Sequence, residues 1–362
     1  MADGKPSDRP AAPPHSMQGP GIFLAQFIRD EPPFNTFSGI CRWAVELGYR
    51  GVQVPVWAQQ FIDLDEAAES EAYCDDWREK LSLHGLTLTE LNASLAGQTL
   101  AMHPAYEVAF QPFYPAGLDD RGRIAWATDR LQKTLRAAAR LGVTCVPVMS
   151  GGFAWHLAYP WPQRPAGLID EAFRELARRW RPILDLGEEL GVALAFELHP
   201  GSDLFDGHTF ERFLVEVNEH PAAGLNYDPS HLLLQQLDYL EFIRLYGPLI
   251  RGFHVKDAEF RPDGRGGVYG GYQSWAGRPG RFRSPGDGQV DFKRVFTLLT
   301  EAGYRGWAVL EWECAVKASL QGAREGADFI KRHLIEATTV AFDDFSAGKG
   351  DATTNRRILG LE

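Results

Sequence analysis

Residues 47–54 of the chain are LGYRGVQV, and similar stretches recur at residues 141–148 (LGVTCVPV) and 302–310 (AGYRGWAVL). Each stretch places a glycine where the end of a helix favours a left-handed residue, and a short apolar run follows. This order is typical of a helix that leads directly into a buried strand. The repeated joint therefore predicts a chain in which helices and strands alternate.

Short apolar runs with the length of a strand recur along the chain. Several are continuous apolar or β-branched stretches, as expected for strands that are buried on both faces. Amphipathic stretches with apolar residues at helical spacing lie between them, for example at 119–141 and 170–190. The predicted strands are Ile22–Gln26, Gly51–Pro55, Leu86–Leu91, Val143–Met149, Val192–Glu197, Ala223–Tyr227, Ile250–His254 and Trp307–Glu311.

This alternation predicts an α/β protein whose parallel strands close into a (β/α)₈ barrel, a single domain over residues 20–340. The alternative is an open doubly wound sheet, but no G-x-G-x-x-G motif follows the first strand. Residues 1–19 are expected to be a disordered tail, and residues 341–362 a C-terminal extension. Two long connections, 92–118 and 258–290, are expected on the catalytic rim, because long loops in compact domains usually carry function.

Composition and charge narrow the classes of partner. The 362 residues carry a formal net charge of −11, and an acidic surface repels phosphate backbones and anionic lipid. This argues against nucleic acid and membrane surfaces as partners. No apolar run approaches the roughly 20 residues that a membrane span needs. The 4 cysteines are far apart, which fits a reducing cytoplasm better than a disulfide scaffold or a cysteine zinc site.

Four side chains that can bind a metal follow four successive predicted strands. Glu197 lies in VALAFELHP, Asp228 in GLNYDPSH, His254 in IRGFHVKD and Glu311 in WAVLEWE. At the C-terminal mouth of a barrel these side chains would converge, whereas one alone could end a strand at the surface or cap a helix. Three carboxylates and one imidazole suit Mn²⁺, which we expect here, with Mg²⁺, Co²⁺ or Zn²⁺ as alternatives.

Together with PGDGQVDF at 285–292, these motifs resemble the xylose isomerase-like TIM barrel family, in particular its sugar phosphate isomerase/epimerase branch. The resemblance covers residues 21–338. It implies that the four side chains bind a metal and that His231 contacts a substrate oxygen. It also implies that Glu197 and Glu311 flank the substrate carbon and exchange its proton.

Glu313 is the alternative to Glu311 as a ligand, because the two residues have the same strand parity. Glu311 is preferred, since it directly follows the apolar run Ala308–Leu310.

The expected chemistry is proton transfer on a small keto-sugar. A divalent cation bound to the carbonyl and a neighbouring hydroxyl stabilises the ene-diolate that forms when a carboxylate removes the adjacent proton. Return of the proton gives an isomerase or epimerase, which is the expected function. Expulsion of a β leaving group gives a lyase, as in the C-glycoside deglycosidases, which this chain also resembles and which act on 3-keto-glycosides. We therefore expect a homo-oligomer or a heteromer with a small partner subunit.

Further polar and aromatic side chains near the strand ends are candidates for contact with substrate. His156 is a candidate acid or base, although it could simply pack in its loop. Lys256 could instead form an ion pair with Asp257, and the aromatic and arginine-rich segment 258–290 could bury a protein interface. The predicted substrate-binding residues are His231, His199, Lys256, Trp155 and Arg283.

Two other function classes remain open from the sequence. A hydrolase of the endonuclease IV type shares the barrel and would need His199, His231 and His254 for a zinc cluster. A non-catalytic binding barrel would need no bound metal.

Overall fold

The computed structural model describes residues 16–337 and 351–361. Over these residues the chain forms ten strands: β1 (Gln18–Phe23), β2 (Gly51–Pro55), β3 (Thr87–Asn92), β4 (Cys145–Val148), β5 (Ala193–Glu197), β6 (Ala223–Tyr227), β7 (Ile250–Val255), β8 (Asp257–Phe260), β9 (Gly280–Arg283) and β10 (Trp307–Leu310). Eight of them form a sheet in the order β3-β2-β1-β10-β7-β6-β5-β4, and its paired neighbours are parallel. β8 and β9 form a separate antiparallel hairpin.

The two edge strands of the large sheet, β3 and β4, meet and nearly close it into a ring. Ala93, directly after β3, donates its backbone N–H to the carbonyl oxygen of Pro147 in β4 at 2.9 Å. In an open doubly wound sheet the two edges would lie far apart. The predicted (β/α)₈ barrel is therefore confirmed.

The main core lies between the strands and the helices outside them. Trp180 packs edge-to-face on Phe196 of β5, with 4.8 Å between ring centroids, and Phe196 packs in the same way on Phe213 at 5.1 Å. The helices are α1 (Phe37–Glu46), α2 (Leu64–Glu69), α3 (Glu71–Leu83), α4 (Ser94–Leu100), α5 (Glu107–Phe110), α6 (Asp120–Leu141), α7 (Leu168–Leu190), α8 (Gly207–Glu216), α9 (Pro229–Leu234), α10 (Tyr239–Tyr246), α11 (Phe292–Glu301), α12 (Ser319–His333) and α13 (Ala352–Ile358).

The three repeated helix-to-strand joints have the backbone that their sequence predicts. Gly48, Gly142 and Gly303 have φ values of 89°, 78° and 78°. A residue without a Cβ adopts this left-handed conformation at no steric cost, which lets the chain leave a helix and turn at once into a strand.

The first strand lies earlier in the chain than the sequence predicts. It spans Gln18–Phe23 instead of Ile22–Gln26, so the barrel begins before residue 20. Gly19, Pro20 and Gly21 conceal the strand, because glycine and proline are depleted in strands. Close packing explains the glycine at position 21, because a Cβ there would lie 3.2 Å from side-chain carbons of both Thr89 and Val309.

Both ends of the chain are described only in part. Residues 1–15 of the predicted tail, residues 338–340 of the predicted barrel, and residues 341–350 and 362 of the predicted extension lie outside the described residues. The last described segment forms the short exposed helix α13. In the part of the chain that the structure describes, the helices are too short or too polar to cross a membrane.

Both long connections follow the C-terminal ends of barrel strands, as predicted. The connection after β3 carries α4 and α5, and the connection after β7 carries the hairpin β8–β9. Asp257, the first residue of β8, fixes this hairpin to the segment that follows it. Its Oδ1 accepts backbone N–H groups from Ala258 at 2.8 Å and Val290 at 3.1 Å, and its Oδ2 accepts those of Gly286 and Gly288, both at 2.9 Å.

The four bonds explain much of the PGDGQV sequence. A Cβ on Gly288 would lie 2.2 Å from Asp257 Oδ1, so glycine is required where the backbone approaches the carboxylate. The side chain of Asp257 is fully buried, and it organises the loop through these four bonds.

Replacement of Asp257 by alanine should loosen this loop. Asp257→Ala removes the acceptor of four backbone N–H groups, two of which belong to the buried residues Ala258 and Val290. We therefore expect the free energy of unfolding in urea to fall by about 2–4 kcal/mol. The matched control is Asp287→Ala in the same loop, where a partly exposed pair with Lys317 at 2.6 Å is lost and the cost should stay below about 1 kcal/mol. Equal losses in the two variants would contradict the assignment.

Candidate metal centre

Strand alternation turns the predicted ligands into the barrel. Phe196 of β5 packs outward against α7 and α8, so its neighbour Glu197 faces inward. Phe253 of β7 packs outward against α11, so His254 faces inward. Because the strands are parallel and form a ring, inward side chains at their C-terminal ends meet at one mouth.

Glu197, Asp228, His254 and Glu311 form a buried cluster at this mouth, and their candidate ligand atoms all lie within 4.8 Å of one another. His254 Nδ1 is 3.2 Å from Glu197 Oε2 and 2.9 Å from Glu311 Oε2. None of the four residues is more than 7% exposed. The structure thus brings together the four ligands that the sequence suggested.

The residues present fit a divalent cation. Asp228 Oδ2 is buried and has no hydrogen-bond partner, although a buried polar atom without a partner is costly. Burial and the charges of Glu197 and Glu311 together raise the pKa of Asp228 to about 7, against the opposing charge of Lys256. A cation would supply the missing positive charge, and a set of three carboxylates and one imidazole accepts Mn²⁺, Mg²⁺, Co²⁺ or Zn²⁺.

Lys256 offsets part of the negative charge of the cluster. Its Nζ lies 3.3 Å from Glu311 Oε2 and 3.6 Å from Asp228 Oδ2. Burial alone would raise the pKa of Glu311, but Lys256 and His254 hold that pKa at about 2. Burial likewise opposes the charged form of Lys256, yet the nearby carboxylates, Glu311 foremost, raise its pKa well above the usual value. Glu311 is therefore ionised at neutral pH, and Lys256 is charged.

The structure separates Glu311 from its rival Glu313. Glu311 belongs to the buried cluster, whereas the side chain of Glu313 is 40% exposed and approaches Lys256 Nζ at 3.4 Å. Lys256 thus contacts cluster carboxylates and Glu313, and the carboxylate of Asp257 is bonded to the backbone of its own loop.

Two further histidines lie beside the cluster. His231 Nε2 is 3.2 Å from Glu197 Oε1 and 3.4 Å from Asp228 Oδ2, and the ring of His199 lies 4.2 Å from the ring of His231. Burial, with the charges of His199 and Lys256, lowers the pKa of His231 to about 3 against the opposing effect of Glu197. His231 is therefore a neutral ring at the edge of the cluster, while His199 Nδ1 is bonded to the carbonyl oxygen of Pro200.

A cavity of about 450 Å³ opens next to the cluster. Phe282 of β9 lines it and also covers the site, since its ring lies 4.3 Å from Lys256 Nζ and 5.3 Å from the ring of His231. Gln26, also in the lining, donates a hydrogen bond to Glu311 Oε1 at 3.3 Å. The cavity is lined by Gln26, Trp275, Phe282, Trp312, Glu313, Cys314 and Ala315.

Three residues suggested by the sequence have their principal contacts elsewhere. Trp155 packs edge-to-face on Phe205 at 4.9 Å. The ring of His156 lies 3.9 Å from the ring of His103, and Arg283 donates to Glu259 Oε2 at 2.8 Å. Arg283 directly follows Phe282 in β9, so its side chain points to the opposite face of the hairpin from the face that covers Lys256. Roles for Trp155, His156 and Arg283 toward a substrate stay predictions.

Asn226 is a part of the site that the sequence analysis missed. Its Nδ2 donates to Glu197 Oε2 at 2.9 Å and lies 3.1 Å from His254 Nδ1. A Cβ on Gly252 would lie 2.4 Å from Asn226 Oδ1, so glycine in β7 makes room for this amide. Parity offers the signal: Asn226 is two residues before Asp228 and faces the same side of β6.

Comparison with proteins of known name or structure gives relatives of two kinds. The chain is 34% identical over 131 residues to an inosose dehydratase of Geobacillus thermodenitrificans, a match that covers 36% of this chain and 43% of that relative. The matched part therefore spans less than half the length of this relative.

Solved structures with the same fold cover nearly the whole barrel. A xylose isomerase-like TIM barrel protein from Mycobacterium smegmatis in complex with magnesium aligns with a TM-score of 0.60 at 17% identity, covering 89% of this chain and 98% of that one. The 3-keto-D-glucoside 4-epimerase YcjR of E. coli aligns with a TM-score of 0.58 at 15% identity, covering 86% and 98%. At these identities the likeness shows the fold.

The family described as xylose isomerase-like TIM barrel matches residues 41–333, which is more than half of the chain and agrees with the resemblance seen in the motifs. This chain belongs to the xylose isomerase-like TIM barrel family.

Proposed function

We propose that this protein is a divalent-metal-dependent isomerase or epimerase that moves a proton beside the carbonyl group of a keto-sugar. The observation that carries the proposal is the buried cluster in which Glu197 and Glu311 both approach His254 Nδ1, at 3.2 and 2.9 Å. A binding barrel without a metal would have no use for three carboxylates buried together, because each loses its hydration.

Glu197, Asp228, His254 and Glu311 would hold the cation, and we propose Mn²⁺ because a mixed set of carboxylates and imidazole suits a borderline ion. When bound, the cation supplies positive charge that stabilises the oxygen anion of a deprotonated keto-sugar.

Glu197 and Glu311 would act on opposite sides of one carbon. Glu197 is the last residue of β5 and Glu311 directly follows β10. These strands are separated in the sheet by β6 and β7, so the two glutamates reach the site from different directions. Burial alone would raise both pKa values, but His254 holds that of Glu197 well below its usual range, and Lys256 and His254 hold that of Glu311 at about 2. Both carboxylates are therefore ionised and able to accept a proton. One would remove the substrate proton, and the other, once it has taken up a proton from solvent, would return one to the opposite face.

His231 and Lys256 are proposed to orient the substrate oxygens. Lys256 Nζ lies 3.3 Å from His231 Nε2, and both side chains touch Phe282, which lines the cavity. N–H donors fixed at the edge of a cleft hold hydroxyl and carbonyl oxygens in one orientation, and Phe282 keeps bulk water from that side.

Exchange of deuterium from solvent tests the roles of the two glutamates. In D₂O with saturating Mn²⁺, we expect the protein to introduce deuterium beside the carbonyl of a keto-sugar, as followed by NMR. Glu197→Gln and Glu311→Gln should each slow this exchange by about 100- to 10,000-fold, because each removes a carboxylate that transfers the proton. The control is Glu259→Gln, which alters a glutamate bonded to Arg281 and Arg283. Unchanged exchange in both cluster variants would reject the assigned roles.

Metal binding tests the ligand set independently of activity. We expect Asp228→Asn to weaken Mn²⁺ binding, measured by calorimetry, by more than the roughly 10- to 100-fold that loss of a supporting residue causes. Glu313→Gln should leave the affinity nearly unchanged, because its carboxylate lies outside the cluster. A larger loss for Glu313→Gln than for Glu311→Gln would make Glu313 the ligand.

A lyase acting on keto-glycosides is the second candidate, and the cavity favours it. Trp275 and Trp312 line the space beside the cluster, where they can hold a second ring next to the reacting carbon. The relative named inosose dehydratase also points to elimination from a ketone of a cyclic polyol. After the proton has left the carbon beside the carbonyl, the C–O bond at the next carbon breaks. The oxygen leaves with the electron pair and takes up a proton, and an enone remains.

Product analysis distinguishes the two functions. A 3-keto aryl glycoside and an inosose would each be supplied with Mn²⁺, and enone absorbance and free aglycone would be followed. The lyase predicts enone from both compounds, and Trp275→Ala should raise KM for the aryl glycoside more than for the inosose, because only the former has a ring to stack. Incorporation of deuterium without enone or aglycone would reject the lyase and leave the epimerase.

A further inference from the structure

Three buried polar side chains lie inside the barrel on β2 and β3, two strands that carry no member of the metal cluster. Gln53 of β2 is 1% exposed, and Glu90 and Asn92 of β3 are 3% and 1% exposed. The proposed proton transfer uses none of them, although buried polar groups are costly unless they are hydrogen-bonded. We call these three residues the polar layer.

The polar layer is oriented by the backbone. The N–H of Ser94 donates to Asn92 Oδ1 at 3.0 Å, so Nδ2 of Asn92 points the other way and donates to Gln53 Oε1 at 2.9 Å. At its other end, Gln53 Nε2 donates to Glu90 Oε2 at 3.1 Å. If the Gln53 amide were flipped, its NH₂ group would face the NH₂ group of Asn92, and its oxygen would face the carboxylate of Glu90. The amide therefore has one allowed orientation.

The fixed amide determines which nitrogen of His254 carries a proton. Gln53 Oε1 lies 3.2 Å from His254 Nε2, and an amide oxygen only accepts hydrogen bonds. Nε2 must then carry a hydrogen, so the lone pair of the neutral ring lies on Nδ1, the nitrogen that faces Glu197 and Glu311. A neutral imidazole binds a metal through its unprotonated nitrogen, and a partner on the other nitrogen selects that form.

We propose that Gln53 is a positioning residue for the metal ligand His254, and that Asn92 and Glu90 hold Gln53 in its working orientation. Phe23 also supports the His254 ring. The two rings stack with 5.9 Å between their centroids and 18° between their planes, but Phe23 cannot select a nitrogen. The inference rests on the proposed function in one respect, namely that the cluster binds a divalent ion. Gln53 acts on the ion only through His254.

The test compares two identical substitutions at buried amides. Gln53→Met keeps the length of the side chain and removes the acceptor for His254, so Mn²⁺ affinity measured by calorimetry should fall by about 10- to 100-fold. Gln98→Met is the control, because Gln98 is also buried and bonds to Ser202 in another part of the barrel rim. Its affinity should match that of the unaltered protein. Equal affinities for all three proteins would overturn the proposal.

A rescue variant separates positioning from general disruption. Gln53→Glu combined with Glu90→Gln keeps an acceptor for His254 at position 53 and reverses the bond to position 90, with the total charge unchanged. Mn²⁺ binding should recover most of the affinity lost in Gln53→Met. A double variant as weak as Gln53→Met, with an intact circular dichroism spectrum, would count against the hydrogen bond as the cause.

The histidine ring can also be observed directly in the unaltered protein. With ¹⁵N-labelled histidine and diamagnetic Mg²⁺ bound, the Nε2 resonance of His254 should have the chemical shift of a protonated nitrogen. An unprotonated Nε2 would overturn the proposal even if Gln53→Met failed to fold. Failure of the unaltered protein to bind any divalent ion would reject the proposed function instead, whereas binding that is indifferent to Gln53 would reject only the positioning role.

Discussion

The rest of the structure depends on the burial of three carboxylates at one point. Glu197, Asp228 and Glu311 share a space in which their ligand atoms and that of His254 lie within 4.8 Å of one another. Carboxylates so close together repel one another and have lost their hydration. His254 and Lys256 offset part of this charge, yet Asp228 Oδ2 stays without a hydrogen-bond partner. The fold thus holds a negatively charged site in a geometry that a divalent ion could complete.

Charged side chains this close together need rigid neighbours that hold them in place. The ligands sit at the ends of barrel strands, which are among the most rigid positions of the fold. Asn226 donates to Glu197 from the neighbouring strand. On the rim, four backbone N–H groups bonded to Asp257 hold the base of the hairpin, and the hairpin carries Phe282 over Lys256. The hydrogen bond to Glu197 and the aromatic ring over Lys256 therefore both help to hold the cluster in its geometry.

The sequence predicted what local patterns encode and missed what depends on distant strands. The bounds of β2 and β6 follow from their apolar runs, and the ligands stand out because each is a charged or titratable residue at the end of such a run. The first strand was predicted too late in the chain. Its glycine at position 21 is needed because Thr89 and Val309 of other strands lie close to it, and no local pattern shows this. Gln53 was missed for the same reason: its partner His254 lies 201 residues away, and nothing near Gln53 in the chain marks it.

Under the proposed function, the cluster and the cavity beside it would decide different parts of the reaction. Paired carboxylates around one cation would break a C–H bond next to a carbonyl first, whatever follows. The fate of the resulting anion depends on which groups stand by the next carbon, and these belong to the cavity. Its wall combines the aromatic faces of Trp275 and Trp312 with the partly exposed carboxylate of Glu313. A shared first step with a variable cavity wall would account for proteins of this fold that are named as epimerases and as dehydratases. The residues of the cavity, not the proposed metal ligands, would then determine the product.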